Sequence, residues 1–107
     1  VAEGEEVLTV TNEEIAAILT DIADMLNRKQ ENLYKIKAYD KVAKNIRELK
    51  EPVTKLAAEN RLREIPGVGD AIEIKLKEIA ETGKLEYYDK LKLELILKPD
   101  SSARSRP

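Results

Sequence analysis

The chain has no cysteine, no histidine, no tryptophan and no phenylalanine, and a single methionine in 107 residues. Without cysteine there are no disulfides and no thiolate metal sites. Without histidine the usual general base and the commonest metal ligand are both missing. With tyrosine as the only aromatic, the core has to be built from Leu, Ile, Val and Ala, with Tyr at its edges. No apolar run approaches the ~20 residues of a membrane span. The acidic start (Glu3, Glu5, Glu6) is unlike a signal peptide, so a cytoplasmic setting with no membrane partner is the expectation. The first residue is Val rather than Met, and residues 99–107 are rich in Ser and Arg. Both features read as an engineered or processed boundary.

What is present is charge and helical periodicity. Charged residues make up 37% of the chain and hydrophobic residues 42%, a balance suited to one small helical domain. The net charge of −2 argues against a strongly basic nucleic-acid binder, but the charge is unevenly spread. Residues 28–50 hold eight basic and three acidic residues, a local +5, whereas residues 11–27 hold four acidic and no basic ones. The first region is a candidate electrostatic footprint for phosphate, and the second would repel it.

Thr11-Asn12-Glu13-Glu14 is a capping box, and Ile15, Ile18, Leu19, Ile22 and Leu26 follow at helical spacing, predicting a helix over 12–28. A second helix is predicted over 33–49, burying Ile36, Tyr39, Val42, Ala43, Ile46 and Leu49. Its Lys37, Lys41 and Lys44 form a stripe that is either a solvated face or a binding face. Pro52 opens a short helix carrying Val53, Leu56 and Ala57, which Asn60 ends. Residues 61–83 hold Ile65-Pro66-Gly67-Val68-Gly69, then a helix with Ile72, Leu76, Ile79 and Ala80 on one side, stopped by Gly83. A last turn or two carries Tyr87, Tyr88 and Leu91. The hairpin has two readings. In one, glycine serves only to turn the chain. In the other, this is a helix-hairpin-helix, whose unpaired N–H groups grip a DNA phosphate without reading sequence.

The ends differ from the middle. Glu6 to Val10 has strand-like residues, and Leu91 to Lys98 contains a strict alternation that fits a strand or a continued helix. The expectation is an all-α bundle of four to five helices, with an N-terminal extension over 1–10, the helical domain over 11–92 and a tail over 93–107. The two terminal segments could add a short β pairing, within one chain or between two copies as a dimer.

Three segments together resemble one family. They are Asn12-Glu13-Glu14-Ile15-Ala16 with Asp21-Ile22-Ala23; Glu31-Asn32-Leu33-Tyr34-Lys35-Ile36-Lys37-Ala38-Tyr39; and Ile65-Pro66-Gly67-Val68-Gly69 through Glu81-Thr82-Gly83-Lys84-Leu85-Glu86-Tyr87-Tyr88. In this order and spacing they are similar to the amino-terminal domain of family X DNA polymerases, prokaryotic type, whose beta-type members carry it as a small lyase domain. The resemblance implies a repair-type module that binds gapped or 5′-phosphorylated DNA. It implies roles for Lys35, Tyr39, Lys75 and Lys84; the charge and hairpin readings add Lys37, Lys41 and Lys77 as the electrostatic term and the backbone amides of Gly67, Val68 and Gly69 as a phosphate grip. It also implies that the carbonyls of Arg63, Ile65 and Val68 can hold a monovalent cation, sodium or potassium; no other cofactor is called for. Lys75 matches a nucleophile that opens a 5′-deoxyribose phosphate by Schiff-base chemistry, which needs a partly deprotonated amine. The chain has no room for a polymerase's catalytic carboxylates, so polymerase activity is excluded from this expectation.

Departures from the family pattern suggest an alternative. Asp70 stands where relatives often carry lysine, Ala71 where they carry lysine or glycine, Asp40 where Arg or Lys is common, and Tyr34 where a histidine or another aromatic is usual. Glu73 and Ile74 exchange an inside residue for an outside one. The loss of neighbouring cations argues against a depressed Lys75 pKa. Leu33, Tyr34, Tyr39, Ala71 and Ile74 would then form an apolar and aromatic patch suited to a protein partner, on a scaffold that has been engineered or repurposed.

Overall fold

The computed structural model describes residues 10–97. Its elements are α1 (Asn12–Arg28), α2 (Leu33–Arg47), α3 (Val53–Ala58), a 3₁₀ turn (Leu62–Glu64), α4 (Asp70–Thr82) and α5 (Glu86–Leu97). The all-α expectation holds, and the described residues contain no strand.

Local chemistry sets the helix ends. Thr11 Oγ1 accepts the Glu14 N–H at 3.0 Å, while Glu14 Oε1 accepts the Thr11 N–H at 3.0 Å, so the capping box closes in both directions. Asn32 Oδ1 accepts the Tyr34 N–H at 2.7 Å and starts α2. Gly83 takes a left-handed φ of 78° and its N–H returns to the Ile79 carbonyl at 2.8 Å, ending α4.

Helix α3 is capped from elsewhere in the chain. Pro52 offers no side-chain cap. Asn12 reaches across instead: its Oδ1 accepts the Val53 N–H at 2.8 Å and its Nδ2 donates to the Glu51 carbonyl at 2.9 Å. One amide side chain thereby ties the start of α1 to the start of α3.

α1 packs against α2 and α5, and α3 against α4. Ile15, Leu19, Ile22 and Leu26 from α1 meet Val42 and Ile46 from α2, Val53 from α3, Leu62 and Ile65 from the turn, and Leu76 and Ile79 from α4, all fully buried. No polar or charged residue is buried among the described residues. The core is therefore held by apolar burial, at ~25 cal/mol per Å² removed from water.

Residues 91–97 correct the strand expectation: α5 runs through Leu97 as a helix. Leu91 is buried and Leu95, one turn on, packs on the core, so the inward positions follow a four-residue step. Lys29 Nζ meets Glu94 Oε1 at 2.5 Å, and the Tyr88 hydroxyl donates to Asp21 Oδ2 at 2.6 Å, pinning this helix to α1. The Asp21 carboxylate, with burial adding to it, pushes the Tyr88 phenol up to about 12. A helix satisfies its own backbone, whereas an isolated strand leaves its ladder groups unpaired. The β pairing and strand-mediated dimer thus lose one of their two segments, and the other, Glu6 to Val10, lies outside the described residues up to Thr9.

Asn12→Ala leaves the Val53 N–H without its cap and should lower stability by about 1–2 kcal/mol in urea unfolding. Asn12→Asp keeps the acceptor and should lose less; equal stability of all three proteins would show that the clasp contributes nothing.

Candidate functional site

The hairpin is seated on α2 by two contacts. Gly67 has a φ of +94°, a left-handed conformation that side chains rarely adopt. A Cβ there would lie 3.2 Å from Val42 Cγ2 and 3.4 Å from Lys41 Cδ. Beside it, Asn45 Nδ2 donates to the Pro66 carbonyl at 2.8 Å. Gly69 differs: its φ of −110° suits any residue, and a Cβ would meet nothing within 4 Å. The fold needs glycine at 67 and does not need it at 69.

This seating opens a cleft of about 550 Å³ between α2 and α4, lined by Lys35, Ala38 and Tyr39 on one wall and by Gly67, Gly69, Asp70, Ala71, Ile72 and Lys75 on the other, with Tyr87 of α5 closing one end. Tyr39 and Tyr87 stack with ring centroids 6.5 Å apart and planes 16° from parallel. The Lys75 ammonium lies 4.6 Å above the Tyr87 ring, a cation–π contact. Lys75 is half-buried, and its pKa is lowered, first by burial and then by the charge of Lys35, with Glu78 opposing. This corrects the expectation from missing cations: loss of solvent and one retained lysine depress the amine. Burial, with Tyr87 adding to it, pushes the Tyr39 phenol well above its ordinary value, so its hydroxyl stays protonated.

The amides at the start of α4 are only partly used. The Val68 N–H donates to the Ile65 carbonyl at 3.1 Å, so it is engaged within the hairpin. The first bond of α4's ladder is from the Glu73 N–H to the Gly69 carbonyl at 2.9 Å, and Gly69 supplies no side-chain cap. The N–H groups of Asp70, Ala71 and Ile72 therefore precede the ladder and stand at the positive end of the helix dipole.

The expected site residues divide by position. Lys35, Tyr39, Gly67, Gly69 and Lys75 share the cleft, and the Lys41 stem packs against Gly67 at its edge. Lys37 faces a separate groove with Thr20, Asp24 and Asn27 of α1 and with Asp40. Lys84 follows the 13-residue α4, roughly 20 Å along the axis from the hairpin. In the apolar patch, Tyr39 is buried at 3% exposure and leaves the set, while Tyr34 and Ile74 stand 86% and 66% exposed. Leu33 and Ala71 are also exposed. Sequence reasoning assigned Tyr87 no part in the site, although Gly83 fixes where α5 starts and so which way it faces.

Basic residues also separate by partner. All four arginines among the described residues, at 28, 47, 61 and 63, are in ion pairs. Lys29, Lys55, Lys90 and Lys92 are paired as well. Lys35, Lys41 and Lys75 form no ion pair among the described residues, and neither do Lys37, Lys44, Lys50, Lys77 and Lys84.

Compared with known protein families, residues 10–85 match the helix-hairpin-helix domain. The chain belongs to that family. The match spans α1 to α4 and stops at Leu85, so all of α5 lies beyond it. Helix-hairpin-helix domains commonly bind DNA. No curated protein and no solved structure matches the chain. No helix among the described residues of this helix-hairpin-helix domain is long and apolar enough to cross a membrane.

Gly67→Ala should cost about 1–3 kcal/mol in thermal or urea unfolding, from left-handed strain and the clash with Val42. Gly69→Ala should leave stability unchanged or slightly raised. Equal losses at both positions would contradict this division.

Proposed function

We propose that this domain binds DNA at gaps by its backbone, taking a 5′-phosphate into the cleft between α2 and α4 without reading base sequence. The observation that carries this is the meeting of two ammonium groups that form no ion pair, Lys35 and Lys75, with the open first turn of α4 in one cleft. Phosphate is the anion such a constellation suits: backbone amides at a helix start supply donors, and nearby lysines supply charge. The bare Gly69 backbone lets a ligand approach, at a position where the fold itself has no use for glycine. The resemblance to the amino-terminal domain of family X DNA polymerases, at Lys35, Tyr39 and Lys75, supports the gapped substrate and the repair setting. Hairpin carbonyls are hard donors suited to sodium or potassium, and those of Arg63, Ile65 and Val68 form the candidate set for such a cation. The Ile65 carbonyl already accepts the Val68 N–H and would share its second lone pair.

Gapped, 5′-phosphorylated duplex should bind with an affinity that falls steeply with salt, by roughly 0.9 log units per decade for each phosphate engaged. Lys35→Ala and Lys75→Ala should each weaken binding several-fold and reduce that slope by about one. Lys37→Ala and Lys84→Ala, outside the cleft, should do neither. Undetectable binding at low salt ends this reading. The same titration weighs a protein-docking role, which the exposure of Leu33, Tyr34 and Ile74 favours. Ile74→Ala should leave DNA affinity intact if that patch serves a protein. A several-fold loss assigns the patch to DNA instead.

The depressed Lys75 pKa supports a second activity, the 5′-deoxyribose phosphate lyase reaction. The neutral Lys75 Nζ would add to the C1′ aldehyde of a baseless sugar and lose water to give an imine. Loss of a C2′ proton then expels the 3′-phosphate with the C–O electron pair. Borohydride should trap the imine, with a yield that rises with pH because the neutral amine fraction grows towards the lowered pKa. An adduct of undiminished yield in Lys75→Ala would take the role away from Lys75.

A further inference from the structure

One acidic residue lines a cleft whose other charges are positive. The Asp70 carboxylate is 88% exposed at the cleft wall and would repel an anion entering between Lys35 and Lys75. It is not alone: Glu73 stands one turn along the same helix. The lining residues themselves carry two positive charges, Lys35 and Lys75, and one negative, Asp70. Arg63, from the turn before the hairpin, engages both carboxylates. Its guanidinium forms an ion pair with Asp70, and its Nε donates to Glu73 Oε1 at 3.0 Å. Arg63 itself is not among the residues lining the cleft.

We infer that Arg63 acts on the cleft through Asp70: the Arg63–Asp70 pair sets how strongly the Lys35–Lys75 cleft takes a phosphate, with Arg63 a screening residue and Asp70 the element that limits affinity. The inference rests on the phosphate-binding reading above. A partly exposed ion pair is worth at most about 1 kcal/mol, which bounds the coupling between the two residues at about fivefold in affinity. The arrangement has a further consequence for specificity. A ligand of higher negative charge feels Asp70 more strongly, so the pair discriminates among anions by charge as well as by fit.

A double-mutant cycle on gapped, 5′-phosphorylated DNA tests it. Asp70→Asn should tighten binding by about threefold to fivefold, and Arg63→Gln should weaken it by a similar factor. In the Asp70→Asn background, Arg63→Gln should change affinity by less than about twofold. An equal Arg63→Gln loss in both backgrounds would mean that Arg63 touches the phosphate directly, and it overturns the inference; so does an Asp70→Asn protein that binds no tighter than the parent. Circular dichroism confirms that each variant folds. Inorganic phosphate, followed through the amide shifts of residues 67–72, repeats the cycle without DNA. Failure of the parent chain to bind DNA removes the proposed function, while the phosphate arm still decides the role of the pair.

Discussion

The seating of Gly67 on α2 is the contact on which the remaining geometry depends. A residue with a side chain at this point would press on Val42, a fully buried member of the core, and would have to hold a left-handed φ. Because the α-carbon is bare, the hairpin lies against the Lys41 stem and the start of α4 comes beside α2. The Asn45 bond to the Pro66 carbonyl fixes the same approach from the other side. With that distance set, Lys35 and Tyr39 on α2 face Lys75 on α4, and Tyr87 closes the space between them. Lys75 is consequently partly stripped of water, lies over an aromatic ring, and has its pKa lowered.

Electrostatics distribute labour across the surface. Two of the arginines serve structure: Arg61 draws together Glu51, Glu59 and Glu64, whose bonds raise its own pKa and hold those of Glu51 and Glu64 down, and Arg47 ties α2 to Glu13 on α1. Exposed pairs of this kind contribute little each to stability. They engage all four described arginines, so the charge available in the cleft comes from lysines that form no ion pair, Lys35 and Lys75. A chain of net charge −2 can thereby present a locally positive cleft.

Much of the fold was legible in the sequence. The Thr11–Glu14 capping box, the Ile15-to-Leu26 spacing and the Gly83 stop each describe local backbone chemistry, and each recurs in the structure. Misreading arose where local pattern was ambiguous. Leu91 to Leu97 alternates in polarity, yet Leu91 and Leu95 also fall one helical turn apart, and only packing against α1 selects between the two periods. Asn12 reads as an ordinary residue of a capping box, and nothing local reveals that its amide closes α3 forty residues later. The candidate site was half legible. Lys35, Tyr39, Gly67, Gly69 and Lys75 do converge, but Lys37 and Lys84 sit elsewhere, because a helix of 15 or 13 residues sends lysines of one sequence neighbourhood to different faces and ends.

By itself the sequence determined the all-α class, the hairpin and its glycine turn, the absence of thiol and imidazole chemistry, and an acidic first helix beside a basic second one. These follow from residue type and short-range spacing, where the deciding interactions lie within one or two helical turns. Tertiary structure decided between the two places the sequence offered Tyr39, the buried face of α2 and the exposed patch, and which cations remain unpaired. It decided that Tyr87 joins the cleft and that Arg63 turns towards Asp70 and Glu73. Those outcomes depend on distances between elements far apart in the chain, and no local pattern of residues encodes a distance across a core.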